Sequence, residues 1–220
     1  MSGRLIVIEG LDGSGKSTQM SLLRERLGES VRYIKFPDYD DPSSTLIKMY
    51  LDGQFGDTAD SVNAYAASLL YSVDRFASFR RHWKNDYEGG KTILCDRYTT
   101  SNAVHQMSKL PRSEWKPFLD WLYDTEFCKI GIPRPDKVIF LDVPVEVSQK
   151  MMTSRYRGDE GKKDIHERDV AYLHHCYECA LFAAEYLGWT VVKCTADGKM
   201  RSIEDIAAEV YSHAAAAIGE

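Results

Sequence analysis

No stretch of this chain comes near the ~20 consecutive apolar residues that a membrane-spanning helix needs. Apolar runs such as residues 5–8 (LIVI) and 138–141 (VIFL) are far too short. Positive charge is in deficit, with 28 Lys and Arg against 33 Asp and Glu, a net charge of −5. That balance gives no nucleic-acid footprint, and a polyanionic partner would need a local basic patch. Cysteine is scarce: five residues without framework spacing fit reduced thiols in a cytoplasmic protein, not a disulfide scaffold. Cys176 and Cys179, preceded by His174 and His175, lack the second ligand pair of a zinc site and are expected to pack inside a helix. An apolar run already begins at Leu5, so no signal or transit peptide is expected. Internal repeats and low-complexity linkers are missing.

What remains is an ordinary globular composition over 220 residues, 44% hydrophobic and 28% charged, which fits one domain. Short apolar runs alternate with longer amphipathic ones, the pattern of a parallel sheet wrapped by helices. The runs predict strands at 5–9, 31–36, 92–96, 137–142 and 190–194. Helices are predicted at 16–27, 44–52, 59–85, 112–127, 145–153, 165–187 and 202–217. Two polar loops, 38–44 (DYDDPSS) and 154–164 (SRYRGDEGKKD), stand out by position. In an open α/β sheet, ligands bind beyond the carboxyl ends of the strands.

Residues 10–17 read GLDGSGKS and fit G-x-x-x-x-G-K-[ST] at every fixed position, between a predicted strand and a predicted helix. The glycines let the backbone curl so that its N–H groups point at phosphate oxygens. The helix start adds its positive end. Gly10, Gly13, Ser14, Gly15, Lys16, Ser17 and Thr18 thus form a site for ATP phosphates. Lys16 reaches the β- and γ-phosphates, and the Ser17 hydroxyl is offered to Mg²⁺. The guanine-reading N-K-x-D run of GTPases is missing, and the chain is short for a motor. A small-molecule kinase is the economical reading.

Four segments in order then resemble the thymidylate kinase family: residues 8–19 (IEGLDGSGKSTQ), 69–75 (LLYSVDR), 96–98 (DRY) and 135–144 (PDKVIFLDVP). The resemblance spans about residues 4–210. It implies a five-stranded parallel sheet flanked by helices, the nucleoside monophosphate kinase type of P-loop fold. It also implies the reaction ATP + dTMP → ADP + dTDP and a homodimer, with no nucleic-acid or membrane partner. The acceptor is a phosphate, already anionic near neutral pH since its second pKa is about 6. Catalysis then needs positioning and charge neutralisation more than a base.

The resemblance also assigns roles. Asp12 organises the acceptor phosphate and the water shell of the metal. Arg97 lies between donor and acceptor phosphates as the catalytic cation. Asp96 either supports Mg²⁺ through water or holds Arg97; the sequence leaves both open. Tyr71 stacks on the base and Arg75 donates to a base carbonyl, both on one helix face. Phe36, Pro37, Ser101, His105 and Gln106 line the base and sugar pocket. Residues 154–164 match the lid, where Arg155 and Arg157 close over the ATP phosphates, with Lys162 and Lys163 beside them.

The sequence departs from the family at four places. Gly13 stands where some members have a P-loop arginine, which makes the lid cations more important. After Pro37 the usual acceptor-phosphate arginine is missing, leaving Arg97 and Lys48 as candidates for that grip. His105 occupies the place of a tyrosine or other aromatic that packs against deoxyribose. Residues 107–117 are a variable excursion without assigned function. Two other functions compete. One is a kinase for dUMP or for a deoxynucleoside, the latter using Glu9 or Asp12 as base. The other is a nucleotide-binding regulatory module with little turnover, which the lid arginines and Arg97 argue against.

Overall fold

A computed structural model of the protein describes residues 2–56, 58, 61–155 and 170–219; of residues 153–155 it describes the backbone alone. Five strands, β1 (Leu5–Glu9), β2 (Val31–Lys35), β3 (Thr92–Asp96), β4 (Lys137–Asp142) and β5 (Thr190–Lys193), form one sheet in the order β2-β3-β1-β4-β5. Every neighbouring pair is parallel. β1 lies at the centre with all five side chains buried, as a strand covered on both faces must be. β2 stops one residue before the predicted end. Phe36 N still donates to Asp96 O at 3.0 Å, but Pro37 has no N–H to continue the ladder. A small antiparallel hairpin, β6 (Thr195–Ala196) with β7 (Lys199–Met200), follows β5.

The helices are α1 (Lys16–Leu27), α2 (Thr45–Leu51), α3 (Ala64–Ser78), α4 (Lys84–Glu88), α5 (Thr99–His105), α6 (Trp115–Tyr123), α7 (Val145–Arg155), α8 (Val170–Leu187) and α9 (Ile203–Ile218). The long helix expected from 59 to 85 begins later, where Asn63 Oδ1 caps it by accepting from Ala66 N at 2.8 Å. It then loosens into a π turn, Phe79–Trp83, before α4. A second π turn, Asp124–Ile130, replaces the predicted end of the helix at 112–127. α5 was not expected: Thr99, Thr100, Ser101 and Asn102 are poor helix formers, and tertiary packing overrides them.

β1 sorts its side chains by parity. Leu5 and Val7 join Trp83, Trp115, Phe118, Phe140, Cys176 and Cys179 on one face of the sheet. Ile6 and Ile8 join Met20 and Leu23 of α1 and Ile206 and Val210 of α9 on the other. Cys176 and Cys179 are fully buried packing residues, as their helical spacing predicts. The carboxyl ends of β1 and β3 therefore emerge side by side, and the candidate site is built there.

Candidate functional site

The turn from β1 into α1 holds two glycines in the left-handed region, Gly13 (φ +77°) and Gly15 (φ +78°). At Gly13 a Cβ would lie 2.8 Å from Ser148 O and 2.9 Å from Met152 Cγ. An arginine does not fit there without moving α7, which gives the departure at this position a physical cause. Gly13, Ser14, Gly15, Lys16, Ser17 and Thr18 line a cavity of about 380 Å³, faced by Met151 and Met152 of α7. Gly10 sits behind it, packed against Ser14. Ser14 Oγ is buried with no hydrogen-bond partner among the described residues. The curl thus presents inward-facing polar groups, as a phosphate cradle requires. Among the described residues no cluster of three or more His, Cys, Asp or Glu could cage a metal. A Mg²⁺ carried in on nucleotide phosphates, held by one hydroxyl and a carboxylate through water, fits this donor set.

Lys16 is buried and donates from Nζ to Asp96 Oδ1 at 2.6 Å. Its pKa is lowered by burial and by the nearby Arg97, against the pull of Asp96 and Glu9. Asp96 therefore holds Lys16, not Arg97. The carboxylate that holds Arg97 is Asp12, whose Oδ1 accepts from Nη2 at 2.7 Å. Arg97 takes a left-handed backbone (φ 65°) directly after β3, rare for a non-glycine residue. Its Nη1 lies 3.4 Å from Glu9 Oε1 and 3.2 Å from His105 Nε2. A guanidinium only donates, so His105 Nε2 is the acceptor in that contact. Burial works against the charge of Arg97, yet Asp12, Glu9 and Asp96 outweigh it and raise its pKa.

Next to this cluster opens a second cavity, about 300 Å³. Asp12, Phe36, Pro37, Tyr71, Arg75, Arg97, Ser101, His105 and Gln106 all line it. The nine residues come from the P-loop, the exit of β2, α3 and the β3–α5 segment, and the fold brings them to one space. Burial pushes the Tyr71 phenol up, so it stays a neutral ring. Gln106 Oε1 is buried without a partner among the described residues.

Lys48 does not line this cavity, whereas Lys35, Tyr39, Tyr50, Asn102, Lys109 and Tyr172 do. Lys109 belongs to the excursion at 107–117 and donates to Tyr50 OH at 2.8 Å. Sequence reasoning missed these six because they come from five separate segments. The one readable signal was Lys35, at the carboxyl end of a strand. Two buried acids have structural partners that the sequence does not reveal: Glu9, considered above only as a base, and Asp74, given no role. Glu9, fully buried, accepts from Gly10 N at 3.0 Å and from Thr100 and Ser101 hydroxyls at 2.7 Å each. Asp74 accepts from Asp38 N at 2.9 Å and Ser43 Oγ at 2.6 Å, tying down the loop after β2. Arg155, by its side chain, and Arg157, Lys162 and Lys163 lie outside the described residues.

A family model described as Thymidylate kinase matches residues 8–206. The chain belongs to the thymidylate kinase family. A thymidylate kinase of Mycobacterium tuberculosis is 32% identical over 171 residues, covering 76% of this chain and 78% of that one. One from Limosilactobacillus fermentum is 29% identical over 221 residues, 96% of each chain. The solved thymidylate kinase of Candida albicans superposes with a TM-score of 0.70 at 26% identity, covering 96% of this chain and 90% of its own. The fold is thus the P-loop nucleoside monophosphate kinase fold, and membership in the family makes this chain a kinase. No helix among the described residues is long and apolar enough to cross a membrane.

Proposed function

We infer that this protein transfers the γ-phosphate of ATP to dTMP, giving dTDP and ADP. One observation carries the reading: Asp12 lines both the P-loop cavity and the second cavity, and Arg97 donates to it at 2.7 Å. Donor and acceptor sites therefore meet at one ion pair. Lys16, Ser14 and the curled backbone receive the ATP phosphates. When bound, Mg²⁺ would neutralise charge on those phosphates, and Ser17 by its hydroxyl and Asp96 through water would hold it. The acceptor base lies toward Tyr71 and Arg75, and its phosphate toward Arg97 and Lys35. Arg97 leaves Asp12 in part as phosphate oxygens arrive and spreads the charge that develops between them. Glu9 is enclosed and saturated by protein donors, which leaves a deoxynucleoside hydroxyl without that base. Residues 1–220 act as one kinase domain, with a lid at about 154–164 whose Arg155 and Arg157 add cations to the donor side.

The working form is a homodimer in the cytoplasm. Leu69, Val73 and Phe76 form an exposed stripe on α3, 42%, 50% and 42% accessible, at the i, i+4, i+7 spacing of a helix–helix seam. Five free cysteines suit a reducing compartment. The test is an ATP-coupled assay with dTMP, dUMP, UMP, CMP, GMP, AMP and thymidine offered separately. Turnover is expected first with dTMP. ATP binding with no transfer to any of them would defeat the reading.

A further inference from the structure

Glu126 is fully buried, yet it belongs to none of the motifs above. The π turn Asp124–Ile130 carries it, and such turns are frequent at functional sites. Its carboxylate gathers five donors. Arg75 gives it Nε at 2.8 Å and also Nη2. Ser72 Oγ reaches it at 2.8 Å, Thr99 Oγ1 at 2.6 Å and Asn102 Nδ2 at 3.5 Å. Two of these donors, Arg75 of α3 and Asn102 of α5, also line the acceptor cavity.

The chemistry of an ionised carboxylate fixes both neighbours. It only accepts. It takes the Nε–Nη2 edge of Arg75, so Nη1 is the guanidinium nitrogen left for the cavity, with only a long 3.4 Å contact to Tyr98 O. It also decides which end of the Asn102 amide faces inward. Nδ2 must point at Glu126 and at Ser68 O, 3.3 Å away, and Oδ1 is used by neither bond. The pair therefore offers the cavity one donor, Arg75 Nη1, and one acceptor, Asn102 Oδ1. Thymine and uracil carry the complement, a C4 carbonyl beside an N3–H. Cytosine reverses both, with an amino group beside a bare N3.

We propose that Glu126 is a positioning residue that sets the hydrogen-bond polarity of the acceptor cavity and so selects 4-oxo pyrimidines against cytosine. The proposal rests on the dTMP reading above. It makes no distinction between dTMP and dUMP, which differ only by a methyl group.

The test is calorimetric binding of dTMP, dCMP and ATP to the unaltered protein and to Glu126→Gln. The unaltered protein is expected to prefer dTMP over dCMP by about 100-fold or more, since buried polar groups left mismatched discriminate strongly. Glutamine carries a donor as well as an acceptor, so Asn102 can take either orientation and Arg75 loses its ion pair. The dTMP:dCMP preference should fall at least about tenfold while ATP affinity stays unchanged. Ser72→Ala removes a donor to Glu126 without touching either reader and should keep the preference. A folded Glu126→Gln protein with its preference intact would overturn the proposal, as would Ser72→Ala losing as much. If Glu126→Gln does not fold, Asn102→Ala with Glu126 in place should show the same loss, and an unchanged ratio there is equally fatal. Selective dTMP binding without phosphate transfer would defeat the reaction and leave this proposal standing. Equal turnover of dTMP and dCMP would do the reverse.

Discussion

Arg97 Nη2 lies 2.7 Å from Asp12 Oδ1, so the residue that follows β3 and the residue inside the P-loop are bonded across the junction of the two cavities. Removing the guanidinium should cost about 10²–10³-fold in kcat, the range seen for a single preorganised charge donor. The fold should survive Arg97→Ala, because Glu9 keeps Gly10 N–H and the Thr100 and Ser101 hydroxyls as donors. Arg97→Lys should recover only part of the rate, since an ammonium lacks the planar fork. Steady-state kinetics alongside urea unfolding checks this; a kcat within threefold of the unaltered protein would remove Arg97 from the chemistry.

Gly13 and Gly15 share a left-handed backbone but differ in surroundings. A Cβ at Gly13 meets Ser148 O at 2.8 Å, while one at Gly15 meets nothing within 4 Å. Gly15→Ala should therefore cost only the conformational penalty, about 1–2 kcal/mol. Gly13→Ala adds overpacking and should cost roughly 2–4 kcal/mol, with weakened ATP binding as α7 is pushed away. Equal urea midpoints for the two variants would show that α7 gives way freely.

The fold was largely legible because its signals are local. Five apolar runs, a P-loop and helical periodicity each live within one segment. α5 was not legible because Thr99 to Asn102 favour it poorly and packing decides. The acceptor cavity was half legible. Tyr71, Arg75 and Arg97 sit in motifs, but Lys35, Tyr50, Lys109 and Tyr172 meet only through the fold. Glu126 gave no signal at all, since one acidic residue in an aromatic helix end reads as surface. Its five donors come from α3 and α5, and only three-dimensional packing assembles them.

Lys35 lines the acceptor cavity and Lys48 does not. With no arginine after Pro37, the cation nearest that exit should assist the acceptor phosphate. Lys35→Ala is expected to raise the KM for dTMP roughly tenfold, the worth of one charge-assisted hydrogen bond. The KM for ATP should stay unchanged. Lys48→Ala should leave both constants unaffected. A larger effect at Lys48 than at Lys35 would reverse the assignment.

Asp41 anchors the loop that carries Tyr39. Its carboxylate accepts from Ser43 N at 2.9 Å, from Arg81 at 2.8 Å and 2.9 Å, and pairs with His82 at 2.9 Å. The Ser43 backbone N–H first, then His82, lower its pKa to about 2. A carboxylate depressed in the folded state stabilises it above the unfolded pKa of about 3.9, and that contribution fades as pH falls through the folded value. Asp41→Asn should thus be less stable than the unaltered protein at pH 7. The gap between their urea midpoints should close between about pH 4 and pH 2. A gap independent of pH across that window would place the effect in packing instead of charge.

The stripe of Leu69, Val73 and Phe76 shares α3 with Tyr71 and Arg75, which line the acceptor cavity. If two copies meet along this stripe, each braces the helix that shapes the other's pocket wall. Val73→Asp puts a charge where the seam would be dry, and an unpaired buried carboxylate costs several kcal/mol, roughly 3–5. Val73 is half exposed within one chain, so the isolated fold should tolerate the change. Sedimentation should then give twice the 25.0 kDa chain mass for the unaltered protein and a single chain mass for the variant. Because α3 loses its brace, the KM for dTMP should rise more than the KM for ATP, whose cradle lies on the other side of Asp12. A variant that stays dimeric would move the contact away from α3. One that becomes monomeric with its dTMP kinetics unchanged would show that the pocket stands on intrachain packing alone, chiefly the Glu126 cluster between α3 and α5.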